Sequence, residues 1–154
     1  MEFNVVFAKR KIPVTHLILD EEGQIAAYFT LTHKPANISV AGLSNSSIKT
    51  LSRYAILDKD SNSFNISAFL IAQFGKNSSY QRSNIISRNE IMNYCLTILE
   101  SIQKQVGGGI VFLECENKQP LLDFYQNDNN HFRIYGERFS ETDGVKYKQL
   151  LRFF

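Results

Sequence analysis

Cysteine is nearly absent from this chain: Cys95 and Cys115 are the only two. Both stand in apolar surroundings and neither belongs to a CxxC or Cys/His ligand spacing, so they read as reduced core thiols and no metal site is expected. Long apolar runs are missing as well. None approaches the ~18 residues that a membrane-spanning helix needs. The chain opens Met-Glu-Phe-Asn-Val-Val-Phe-Ala with basic residues after it, the reverse of a signal peptide's charge order. The expectation is a soluble, cytoplasmic protein. Charge of one sign is scarce, since the formal net charge is +2, too little to indicate nucleic acid as a partner. Lys9-Arg10-Lys11, the only basic cluster near the start, reads as a solvated face. A G-x-S-x-G elbow, a P-loop and a Rossmann glycine fingerprint are all absent, which leaves a serine or cysteine nucleophile without support.

What is present suits one globular domain. At 154 residues the chain can bury a sizeable core, and residues 1–154 are expected to form a single domain. Residues 14–20 are rich in β-branched residues and leucine. Turn chemistry follows at Glu21-Glu22-Gly23-Gln24, and residues 25–33 read as the second strand of a hairpin. Residues 46–53 suggest a short helix, and residues 58–62 (DKDSN) an exposed loop. The nearly continuous apolar run at residues 67–75, SAFLIAQFG, predicts a central strand covered on both faces.

A polar loop at residues 76–84 leads to Ser87-Arg88-Asn89-Glu90, the pattern of a capping box. Behind it, Ile91, Cys95, Ile98 and Ile102 recur at helical spacing, flanked by Met92, Leu96 and Leu99, and Gly107 can end the helix. Residues 110–115 form another buried strand. Residues 117–127 form a short helix with Pro120 in its first turn, where proline is tolerated. Two closing strands follow at residues 132–139 and 145–153. The alternation of strands and helices indicates an α/β sheet with helices packed on its faces.

The stretch at residues 107–132, GGGIVFLECENKQPLLDFYQNDNNHF, takes a buried strand through a polar turn into a short helix that carries Phe124-Tyr125. This resembles the C-terminal half of the GNAT family of N-acetyltransferases. Residues 73–77 (QFGKN), Ile86-Ser87 with Glu90, residues 108–116 (GGIVFLECE) and Phe124-Tyr125 are similar to the motifs of an atypical bacterial subgroup. The resemblance covers most of residues 14–154. It implies a GNAT-like mixed central sheet with helices on both faces.

The resemblance implies an N-acetyltransferase that moves acetyl from acetyl-CoA to an amine: a small amine, a protein terminus or lysine, or an aminoacyl-tRNA. The family's central strand pairs its free backbone groups with the pantetheine arm, which assigns that contact to Gln73, Phe74 and Gly75. Its pyrophosphate loop opens a helix, which assigns Ser87, Arg88 and Asn89 to the diphosphate. The glycines usual in that loop are absent from residues 81–89, QRSNIISRN. Tyr125 becomes the general acid that protonates the departing thiolate, or else packs the helix. Glu116 and Glu114 are the candidates for the base, with Glu116 nearer the cleft end. Asn117 contacts the cofactor or caps its helix. The family's first strand and helix find no counterpart in residues 1–11, where Phe3, Val6 and Phe7 suggest the remnant of a second helix. Either the chain is truncated, or a partner, such as a second copy in a homodimer, supplies that surface. The alternative function is a non-catalytic GNAT-like binding module that acts through a protein partner.

Overall fold

The computed structural model describes residues 1–8, 13–82 and 84–154; the triplet Lys9-Arg10-Lys11 lies outside them. The elements are β1 (Asn4–Ala8), β2 (Val14–Leu19), β3 (Ile25–Ser39), a 3-10 turn (Val40–Gly42), α1 (Asn45–Leu51), β4 (Leu57–Asp58) and β5 (Ser63–Lys76), then α2 (Arg88–Val106), β6 (Ile110–Glu116), α3 (Gln119–Tyr125), β7 (Arg133–Ser140) and β8 (Val145–Phe153). The strands follow the order β1-β2-β3-β5-β6-β8-β7, with β4 beside β5. The sheet is mixed: β5 and β6 run parallel through Phe69↔Val111 and Leu70↔Phe112, while β6 with β8 and β7 with β8 are antiparallel.

The chain divides into two compact units, Met1–Thr32 with Ile71–Val106, and His33–Leu70 with Gly107–Phe154. In the first, β1 pairs antiparallel with β2 from Asn4↔Leu19 to Ala8↔Thr15. This corrects the expected helical remnant at Phe3, Val6 and Phe7. Asn4-Val5-Val6-Phe7 is β-branched and aromatic, and such a run gains more from a neighbouring strand than from an isolated turn of helix. A first strand is therefore present. Five residues separate Ala8 from Val14 in the sequence.

The β2–β3 hairpin turns where the sequence indicates. Asp20 organises the turn: its Oδ1 accepts from the amides of Glu22 and Gln24, each at 2.9 Å, and Gly23 takes φ +79°. In α2, the capping box forms as expected. The Glu90 amide donates to Ser87 Oγ at 3.1 Å, and the Ser87 amide donates to Glu90 Oε2 at 2.6 Å. Ile91, Met92, Cys95, Leu96 and Leu99 are buried, so the apolar stripe faces inward. Gly107, at φ +82°, follows the last turn in the left-handed conformation that glycine takes most cheaply.

In the second unit, β3 continues past His33 to Ser39, further than expected. Ala36 and Ile38 are buried while Asn37 and Ser39 are exposed, so the period-2 pattern resumes beyond the exposed Pro35. β5 likewise starts at Ser63, four residues earlier than expected. Phe64, Ile66 and Ala68 are buried there, whereas Asn65 and Ser67 are exposed. This part of β5 buries one face, and within the 67–75 run expected to be covered on both faces Ser67, Ala72 and Gln73 are exposed, which corrects that expectation there. The buried face joins Ala36, Ile38, Leu51 of α1, Ile110, Phe112, Tyr135 and Leu151 in one apolar cluster. α1 is capped by Ser44, whose Oγ accepts from the Ser47 amide at 3.2 Å. Past α1, the ring of Tyr54 lies on the backbone of Gly109, where a Cβ would meet ring atoms at 2.5–2.7 Å. α3 is shorter than expected, with Pro120 in its first turn and Lys118 as its N-cap.

Candidate functional site

Six of the candidate cofactor residues, Gln73, Phe74, Gly75, Ser87, Arg88 and Asn89, fall in the first unit. Gln73 lies on β5, where its Oε1 accepts from Thr30 Oγ1 at 3.1 Å, and Thr30 shares a hydroxyl hydrogen bond of 2.9 Å with Thr15. The side chain of Gln73 is thus tied to β3. Phe74 is half-buried. Gly75 lies beneath Tyr28, and a Cβ there would stand 3.1 Å from the Tyr28 hydroxyl. Just beyond, Asn77 fastens the end of β5 to the start of β3: its amide donates to Ala26 O at 2.9 Å, and its Nδ2 donates to Ile25 O at 2.8 Å.

Ser87, Arg88 and Asn89 open α2, all exposed. Ser87 is engaged in the capping box, and Arg88 makes no ion pair with a described residue. The capping box has a consequence that its sequence pattern does not announce. The carboxylate of Glu90 accepts the Ser87 amide, one of the donors at the start of α2. That amide also holds the Glu90 carboxyl below the ordinary carboxylate range. A helix N-terminus favours any anion, and here a side chain of the protein already takes part of that advantage.

The candidate catalytic residues fall in the second unit. Tyr125 is the last residue of α3 and is 7 % exposed. Its ring is tilted against Phe124 at 4.9 Å and stands edge-on to Phe132 at 5.9 Å. Its carbonyl accepts the Phe132 amide at 3.0 Å. The Asn-rich exit holds this end of α3 in place. Asn130, fully buried, donates from Nδ2 to Phe124 O at 2.8 Å, and its own carbonyl accepts from Arg152 Nη1 at 2.7 Å. His131 turns the chain with φ +58°.

The two candidate bases differ in their partners. Glu116 is half-exposed and its Oε2 meets Lys118 Nζ at 2.5 Å. Glu114 is gripped by Arg138, with Nε at 2.8 and 3.1 Å from its two oxygens and Nη2 at 2.7 Å, and Gln149 Nε2 donates to it at 3.3 Å. Arg138 also covers the ring of Tyr147, 5.1 Å from its centroid. Asn117 is exposed and does not cap α3, because the N-cap is Lys118. His33 is exposed on β3.

A groove of about 530 Å³ in the same unit is lined by Asn37, Ser39, Gly42, Tyr135, Gly136 and Gln149, among others. Two glycines shape it. A Cβ at Gly42 would stand 2.7 Å from Tyr135 O, and one at Gly136 would stand 2.7 Å from Gln149 Oε1. Burial and the nearby Glu114 carboxylate push the Tyr135 phenol up to about 12.

Among the described residues, no group of three or more His, Cys, Asp or Glu side chains is placed to hold a metal ion, and no helix is long and apolar enough to cross a membrane. Sequence reasoning missed Asn130, Arg138 and Asp20, whose partners lie far along the chain or inside an unremarkable asparagine run.

No protein-family profile matches the chain, and no curated protein matches it. Solved structures do. AtaT complexed with acetyl-methionyl-tRNAfMet is similar over 89% of this chain and 71% of its own, with a TM-score of 0.59 and 16% identity. NAA60 of Arabidopsis thaliana, solved in complex with a bisubstrate analogue, matches over 95% of this chain and 78% of its own, at TM-score 0.57 and 11% identity. Nourseothricin acetyltransferase matches over 96% of this chain and 69% of its own, at TM-score 0.53 and 12% identity. The chain has a GNAT-like α/β fold.

Proposed function

We propose that the protein is an N-acetyltransferase that transfers acetyl from acetyl-CoA to an amine. The observation that carries this reading is the GNAT-like fold together with Tyr125 at the end of α3, held there by Phe132 and Asn130. In this reading Gln73, Phe74 and Gly75 offer backbone groups to the pantetheine arm. Ser87, Arg88, Asn89 and Asn117 contact the cofactor's polar parts. The amine attacks the thioester carbonyl, the C–S bond breaks, and the departing thiolate takes the phenolic proton of Tyr125. Glu116 accepts the proton that the amine releases. The transfer needs no covalent enzyme intermediate, so the rate comes from positioning and from these proton transfers. The protein is cytoplasmic in this reading. A second copy, in a homodimer, would supply the acceptor-side surface that the short β1–β2 connection lacks.

The test is isothermal titration with acetyl-CoA and with CoA, followed by transfer assays on an amine panel. Saturable binding that Tyr125→Phe retains, with transfer slowed by about 10²-fold, fits a general acid. Undiminished transfer by that variant would remove Tyr125 from the chemistry. A second reading, a GNAT-like binding module that acts through a protein partner, is favoured by one observation: Glu90 already occupies the Ser87 amide at the start of α2. Absence of binding at millimolar cofactor would select it.

A further inference from the structure

Glycines let a phosphate loop approach its ligand closely and hold a tight path. None occurs between Lys76 and α2, so something else must define the course of that segment. Both ends of the stretch that precedes α2 are anchored by buried residues: Tyr80 is 4 % exposed and Ile86 is fully buried. Between them, Ile85 stays half out in solvent at 43 %.

Tyr80 carries more than packing. Its hydroxyl donates to Asp20 Oδ2 at 3.0 Å, and Asp20 is itself 3 % exposed. The other oxygen of Asp20 binds the Glu22 and Gln24 amides of the β2–β3 turn. One carboxylate therefore holds two distant segments, with three donors around it. A buried carboxylate is costly unless it is hydrogen-bonded, so its retention requires all of these partners. A second tie runs parallel, since Arg82 Nη2 meets Glu22 Oε1 at 3.2 Å. A third, Asn77 on Ile25 and Ala26, fixes the start of the same segment.

From these ties we infer that Asp20 and Tyr80 are positioning residues for the cofactor's diphosphate: the hairpin turn clamps the segment before α2 and does the work that loop glycines would otherwise do. This rests on the proposed function. The clamp acts on the diphosphate end of the cofactor and not on the thioester end.

The experiment compares acetyl-CoA with S-acetylpantetheine, which keeps the thioester arm and lacks the diphosphate and nucleotide. Tyr80→Phe keeps the buried ring and deletes one hydrogen bond to a charged group. Loss of such a bond shifts the local opening equilibrium of the segment by roughly tenfold or more, and that shift sets the scale of the affinity change. The expected result is acetyl-CoA binding weakened about tenfold with S-acetylpantetheine binding unchanged. Equal weakening of both, or of neither, would overturn the inference. Asp20→Asn, which preserves shape and a hydrogen-bonding partner for Tyr80, is expected to lose less than Asp20→Ala. Amide hydrogen exchange at residues 84–87 separates this inference from the function it rests on. Faster exchange in Tyr80→Phe, where the wild-type protein itself binds no acetyl-CoA, leaves the clamp standing and overturns both the acetyl-CoA reading and the clamp's ligand role. Unchanged exchange overturns the clamp itself.

Discussion

Arg138 grips both carboxylate oxygens of Glu114 across the sheet, with contacts of 2.7–3.1 Å. The two acidic residues near the end of β6 are thereby made unequal. Glu114 has a fork of donors on both oxygens, whereas Glu116 has one flexible lysine on a half-exposed carboxylate. Glu116→Gln is expected to slow acetyl transfer strongly, and Glu114→Gln to act mainly on stability. Arg138→Met should lower stability only slightly in urea unfolding, because solvent screens a half-exposed pair. A larger loss of kcat in Glu114→Gln than in Glu116→Gln would reverse the assignment of the base.

Tyr54 and Gly109 make a size-restricted contact. Gly109→Ala places a methyl against the Tyr54 ring, and overpacking of that kind costs about 1–3 kcal/mol. Because the ring is the obstacle, Tyr54→Ala should abolish most of the penalty. A double-mutant cycle in urea measures it. An undiminished penalty in the double variant would place the strain in the backbone instead.

Acid should weaken the fold through its hydrogen-bonded carboxylates, Asp20 and Glu90 among them. The amide of Gln24, with Tyr80 and Glu22, holds Asp20 below its ordinary value, and Ser87 does the same for Glu90. A carboxyl whose folded-state value is depressed stabilises the protein above its unfolded value, near 4, and that stability is lost as pH falls through the folded value. Melting temperature is therefore expected to fall steeply below about pH 4. In Asp20→Asn and Glu90→Gln the fall should be shallower, from a lower starting point at pH 7.

Glu90 sets stability against affinity. Glu90→Gln keeps a hydrogen-bonding group at the helix start but removes its negative charge. Acetyl-CoA binding should tighten several-fold as the anion loses a competitor, while the melting temperature drops slightly. Titration calorimetry and a thermal melt on the same sample read both. Weaker binding would mean that the box orders the helix start for the ligand.

α2 was legible because everything that makes it is local: Ser87 and Glu90 lie within one turn, the apolar residues recur along one stripe, and Gly107 ends it. The hairpin at residues 14–33 was legible for the same reason. The first strand was not. The helix remnant expected at Phe3, Val6 and Phe7 rests on local residues alone, whereas the strand is defined by β2 lying alongside. Along β3 and β5, His33-Lys34-Pro35 and the polar Asn65 and Ser67 concealed strands whose inward residues alternate with solvated ones. The Tyr80–Asp20 bond joins residues 60 apart, and the Arg138–Glu114 fork crosses 24. No local pattern carries such pairs. The GNAT likeness indicated the elements' order, but not which of Glu114 and Glu116 is free of a guanidinium.

The pairing of Ile110 with Phe153 bears on synthesis. β1, β2 and the first part of β3 pair within the opening third of the chain, so a nascent meander can form while the remainder is still being made. β6 cannot be closed on its β8 side until the next-to-last residue of this sequence has left the ribosome. Until then its apolar residues and one open edge are available to other chains. Crowded, rapid expression therefore endangers this protein until β8 has emerged, and slower synthesis at low temperature protects it through that interval.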